Sequence, residues 1–143
     1  MLRLQYKLLN RDNVLNSAIL REVECPLDEL HVRKLVDATL FSGKVYEHTS
    51  NAWENGEVVY LEAGNGVQLP KHPMKVYGYT IEYHENVQGN LRLIQSQSHE
   101  NFSSIVTRLL DHYTVVAGKD YELKYSILDE DRGVVMIYVV PEA

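Results

Sequence analysis

The sequence predicts an α+β fold built by tandem duplication of a ββαββ unit, and three observations carry that prediction. Residues 33–47, RKLVDATLFSGKVYE, return 75 residues later as RLLDHYTVVAGKDYE at 108–122, with seven of fifteen positions identical; ordinary composition gives roughly one. Alternating apolar runs with the two-residue period of a half-buried strand recur at the same offset. One helical pattern precedes the repeated glycine in each copy.

Taken in order, Leu2, Leu4, Tyr6 and Leu8 alternate with Arg3, Gln5 and Lys7, and Tyr77, Tyr79, Ile81 and Tyr83 repeat that alternation against Gly78, Thr80 and Glu82. Polar turn segments at 10–13 and 84–90 lead to further extended runs at 18–24 and 91–97, so each copy opens with a hairpin. Asn101 suits a helix N-cap, and Phe102, Ile105, Val106, Leu109, Leu110 and Tyr113 fall on one side of a helix. In the first copy Pro26 suits a first helical turn, with Asp28 and Glu29 favoured by the helix dipole. Gly43 and Gly118 read as left-handed residues ending the helices or as nearby turn residues. Strands then start around Tyr46 and Tyr121, and turns at 51–56 and 129–133 close a second hairpin in each copy.

Residues 1–63 thus form the first unit, 64–74 a linker with Pro70 and Pro73, and 75–143 the second. A unit of about 70 residues buries only a marginal core alone, so one shared core is expected. The order ββαββ lacks the regular alternation of a doubly wound sheet. About eight mostly antiparallel strands, two helices packed on the sheet and an internal pseudo-twofold follow.

The chain has 143 residues, 45% hydrophobic and 24% charged, with a net charge of −6. No apolar run approaches the roughly 18 residues of a membrane span, and the first dozen residues lack the unbroken apolar core of a secretory signal, so a soluble cytoplasmic protein is expected. Residues 1–75 carry nine Lys and Arg against ten Asp and Glu, and residues 76–143 five against ten. No basic cluster stands out for phosphate contacts, which disfavours nucleic acid. One cysteine, Cys25, excludes a disulfide framework within the chain.

Each copy is a template for the other, so the mismatches are informative. His31 and Lys34 stand where the second helix has core-facing Val106 and Leu109, while Val32, Val36 and Leu40 form a second stripe. Either the first helix is rotated, with Val32, Leu35 and Val36 in the core and His31 and Lys34 at its rim, or the Val32/Val36/Leu40 stripe is exposed and covered by a second copy of the chain. A polar pocket around His31 and Lys34 is the third reading. Tyr77, Tyr79 and Tyr83 share one strand face and suit a ligand surface, though Leu2, Leu4 and Leu8 at the matching positions favour a core role.

Catalytic signals are weak. The six histidines include no i, i+4 pair of the zincin kind, and the Gly-Lys pairs lack the remainder of a phosphate loop. Residues 64–66, Gly-Asn-Gly, are followed by no helical pattern. Cys25 near a helix start has no local histidine base and reads as a small buried thiol. The run 129–131, Asp-Glu-Asp, lacks the spaced ligands of a calcium loop and reads as a solvated turn. The expected function is therefore non-enzymatic protein–protein association, with homodimerisation, in a protein of bacterial or phage-like economy. The alternative is a small-molecule-binding protein with a tyrosine-lined groove between the repeats. No cofactor, metal or membrane partner is implied.

Overall fold

The computed structural model describes residues 1–142. These form one mixed sheet of ten strands with two α-helices: β1 (Leu2–Leu8), β2 (Ala18–Cys25), α1 (Leu27–Leu35), β3 (Ala38–Phe41), β4 (Lys44–Trp53), β5 (Glu57–Ala63), β6 (Tyr79–Val87), β7 (Asn90–His99), α2 (Phe102–Leu109), β8 (Tyr113–Val116), β9 (Lys119–Asp129) and β10 (Val134–Pro141). The strand path runs β2-β1-β5-β4-β3-β9-β10-β6-β7, and β8 pairs with β9 beside it. The pairings β1–β5, β10–β6 and β3–β9 are parallel and the other six antiparallel.

Ten strands replace the expected eight because the stretches after the helices are strands, giving the element order ββαβββ in place of ββαββ. The helices stop at Leu35 and Leu109, and the β-branched and aromatic residues of Thr39-Leu40-Phe41 and Tyr113-Thr114-Val115-Val116 favour a pleated surface over a helix. Gly43 and Gly118 accordingly sit in two-residue hairpin turns, not at helix ends. Ser42 and Gly43 have φ of 51° and 73°, and Ala117 and Gly118 of 51° and 75°. Two successive positive φ values make the tight turn whose twist matches paired strands. The expected turn at 84–90 also shrinks, since β6 continues to Val87 and turns at Gln88-Gly89.

Consecutive residues of β10 alternate between two cores, as the pleat requires. Val135, Ile137 and Val139 join Ile81, Tyr83, Val32, Val36 and Ile105 on the helical face. That core continues beneath α1 as Leu30 packs with Leu4, Tyr6, Cys25, Val59 and Leu61. Val134, Met136 and Tyr138 face the opposite way with Ala38, Leu40 and Ile127, and Val67, Leu69 and Val76 pack on them.

The segment expected as a linker is therefore a strap across the second sheet face. It leaves β5 at Gly64, whose N–H donates to the Val45 carbonyl. A Cβ there would lie 2.9 Å from Val45 Cγ1 and 3.0 Å from Val45 O, so only glycine lets the chain pass so close. Asn101 caps α2 as expected, its side-chain oxygen accepting from the Ser104 N–H at 3.1 Å.

Candidate functional site

The strap leaves a groove on each side of itself. The first, about 550 Å³, lies where the two halves of the sheet meet: Glu47 of β4, Val67 and Gln68 of the strap, Asn86 of β6, Tyr125 of β9 and Tyr138 of β10 line it. The Tyr125 and Tyr138 rings stand 6.2 Å apart at 43°. Tyr125 Oη donates to Glu47 Oε1 at 3.3 Å, and Tyr138 Oη donates to the Gln68 carbonyl. Burial, then the Glu47 charge, raise the Tyr125 pKa, so its hydroxyl is a neutral donor.

The second groove, about 580 Å³, runs under strap residues 68–74 and over Glu82 and His84. Glu82 and His84 lie two apart in β6 and so point to the same face. Arg132 forks onto Glu82 at 2.8 and 2.9 Å, reaches Asp129 Oδ2 at 2.8 Å and donates to the Met74 carbonyl at 2.9 Å. His84 Nε2 lies 3.0 Å from Glu82 Oε1. Burial raises the Glu82 pKa, but the hydrogen bonds from His84 and Arg132 and the Arg132 charge outweigh it and bring it down to about 2. With both carboxylates committed to Arg132, this cluster anchors the strap; it offers no activated nucleophile or unpaired base.

The run 129–131 enters a turn that is solvated only at Asp131, since Asp129 is buried and Glu130 half-buried. Asp129 binds Arg132, Glu130 receives Arg21 at 2.8 Å and Arg33 at 3.4 Å, and the Asp131 carboxylate accepts the N–H groups of Ser42 and Gly43 at 2.8 and 2.9 Å. Glu130 and Asp131 find donors distant in sequence, whereas the buried Asp129 is met from three residues on by Arg132.

The residues singled out from sequence are not gathered together. Val32, Val36 and Leu40 are buried, at 0%, 2% and 8% exposure, so the solvent-facing stripe does not exist. Val36 already follows α1 and Leu40 lies in β3, which is why helical spacing misjudged their common face. His31 is exposed, and Lys34 pairs with Glu57. Tyr77 lies outside β6 and is 85% exposed, while Tyr79 packs edge-on against Phe102 at 4.9 Å. Of these seven residues only Tyr79 lines a described cleft, a small one of about 120 Å³ beside Arg33 and Phe102. Cys25 is buried.

Among the described residues no group of three or more His, Cys, Asp or Glu is placed to hold a metal, and no helix is long and apolar enough to cross a membrane. The sequence reading missed Glu82, His84 and Arg132. Glu82 and His84 form a polar face of β6, and Arg132 lies in the turn between β9 and β10, so only the fold brings them together beneath the strap.

The sheet is open: its strand path ends at β2 and β7, and the four-residue β8, paired with β9 alone, leaves a third, shorter edge. Edge β2 carries Arg21, Glu22 and Glu24. Edge β7 is uncharged over six successive residues, Leu93-Ile94-Gln95-Ser96-Gln97-Ser98. Comparison with protein-family models, with curated proteins and with solved structures finds no match.

Proposed function

We propose that the protein is a non-enzymatic association module that forms a homodimer by antiparallel pairing of β7 with β7 of a second copy. The observation that carries this reading is the uncharged run 93–98 on an open edge. Edge strands present unpaired N–H and C=O groups, and proteins ordinarily blunt them with charge. β2 is blunted in that way and β7 is not. In a chain of net charge −6, a neutral edge lets two copies meet without like charges opposite one another. A two-fold pairing of identical strands is also self-complementary.

We further propose that the two halves arose by duplication and are related by a pseudo-twofold. Supporting this, β1 lies between β2 and β5 as β6 lies between β7 and β10, with the same strand directions. The pairings also skip Thr49 in β4 and Lys124 in β9, residues 75 apart.

Size-exclusion chromatography with light scattering at about 50 micromolar tests the association. A dimer is expected, and the double substitution Ser96→Lys, Ser98→Lys dissociates it with the circular dichroism unchanged. Leu15→Asp, on the exposed loop before β2, leaves it dimeric. A wild-type monomer, or a dimer that survives both lysines, overturns the reading.

A further inference from the structure

We propose that the groove between Glu47 and Tyr138 is a binding site for a small protonated amine. The groove holds about 550 Å³, the size of a small-molecule site. Two tyrosine rings, Tyr125 and Tyr138, form its aromatic wall. Both hydroxyls are already donating, to Glu47 and to the Gln68 carbonyl, so they hold the rings in place rather than seeking a ligand's acceptor. Ring faces carry negative quadrupole density and attract cations.

The groove offers two acceptors that no described residue uses. Glu47 uses Oε1 for the Tyr125 hydroxyl, and Oε2 makes no hydrogen bond among the described residues. Asn86 Oδ1, on the β6 side, is buried with no partner. The one cation in the lining, Lys124, is solvent-exposed and pairs with Glu122 at 2.9 Å. A carboxylate, an orphan amide oxygen and two aromatic rings together call for a ligand bearing positive charge, N–H donors and some apolar surface. A primary ammonium on a short apolar or aromatic body meets all three; a quaternary ammonium lacks the donors, and a carboxylate opposes the charge of Glu47.

This site is separate from the β7 edge, so its test does not depend on oligomeric state. Isothermal titration of the full chain with tyramine is the direct measurement, with tetramethylammonium and benzoate as controls. Tyramine is expected to bind with a Kd below about 1 mM, tetramethylammonium at least about tenfold more weakly, and benzoate not at all. Glu47→Gln, a substitution at a half-buried position that keeps the acceptor for Tyr125, is expected to weaken tyramine by about tenfold or more while leaving the unfolding midpoint close to wild type. Absence of tyramine binding, equal binding by Glu47→Gln, or benzoate binding as tightly as tyramine each overturns the assignment.

Discussion

Asp37 grips Ser126 across the line where β3 meets β9: its Oδ2 accepts the Ser126 N–H at 2.8 Å and the Ser126 hydroxyl at 3.2 Å, while the Asp37 N–H donates to the Ser126 carbonyl at 3.0 Å. The β3–β9 ladder itself is only three residue pairs long. A charge-assisted clamp at its start therefore matters to how the halves join. Ser126→Ala is expected to cost about 1 kcal/mol, since the backbone contacts survive. Asp37→Ala leaves the Ser126 N–H without its acceptor and costs roughly 2–3 kcal/mol. Urea unfolding of the single and double variants measures both, and the cycle should give a favourable coupling.

A half-buried histidine and a buried glutamate set separate acid windows. The His48 ring lies 6.3 Å from Tyr6, with Nε2 2.7 Å from Thr39 Oγ1. Desolvation lowers its pKa to about 4, the nearby Val36 backbone offsetting only part of that. Unfolded histidine titrates near about 6.5. Between those values the unfolded chain binds a proton that the folded chain refuses, so stability present above pH 6.5 declines as pH falls to 4, by up to about 3 kcal/mol. Glu82, held at about 2 against about 4.3 when unfolded, contributes stability present above 4.3 and lost as pH falls toward 2. Stability against pH, measured by urea midpoints, should thus slope continuously from 6.5 downward. His48→Gln should flatten only the upper part of that slope.

Five of the seven identities in the repeated string at 33–47, Thr39, Gly43, Lys44, Tyr46 and Glu47, are turn or strand residues whose roles are local, which is why the string was legible. Gly43 and Gly118 needed their positive φ, and Tyr46 and Tyr121 lie at the same place in the strands that follow, which begin at Lys44 and Lys119. Local grammar also located α2, where Asn101 and an apolar face agree. It failed at 36–41, where one periodic pattern fits both a helix face and a strand buried on both sides. The groove was less legible still. Tyr125 and Tyr138 stand out in sequence no more than Tyr77 and Tyr79 do. What makes them a pair is the β9–β10 register, Tyr138 opposite Tyr125, and a strap whose Gln68 carbonyl, 70 residues before Tyr138, accepts its hydroxyl.

Arg132 ties that strap to the sheet through the Met74 carbonyl while neutralising Glu82 and Asp129. Glu82 and Asp129 are 2% and 3% exposed, so Arg132→Met strands two buried carboxylates. The expected cost is about 3–5 kcal/mol. A second readout separates loss of the anchor from general weakening: trypsin should cut the variant at Lys71 and Lys75 faster than wild type under conditions where Asp37→Ala does not show that increase.

Cys25 ends β2 at 0% exposure, packed among Leu4, Leu30 and Val59. Burial raises its thiol pKa, and the nearby Glu29 charge adds to the rise. Both effects disfavour the thiolate, the form that reacts. Ellman's reagent should therefore modify the native protein very slowly at pH 8 and rapidly in urea. Fast native labelling would show that β2 opens readily at this sheet edge. Cys25→Ala should be tolerated at a cost near 1 kcal/mol, as the loss of one small buried group. Cys25→Ser should cost more, about 1–3 kcal/mol, because an apolar cluster offers a hydroxyl no partner to replace the water it leaves.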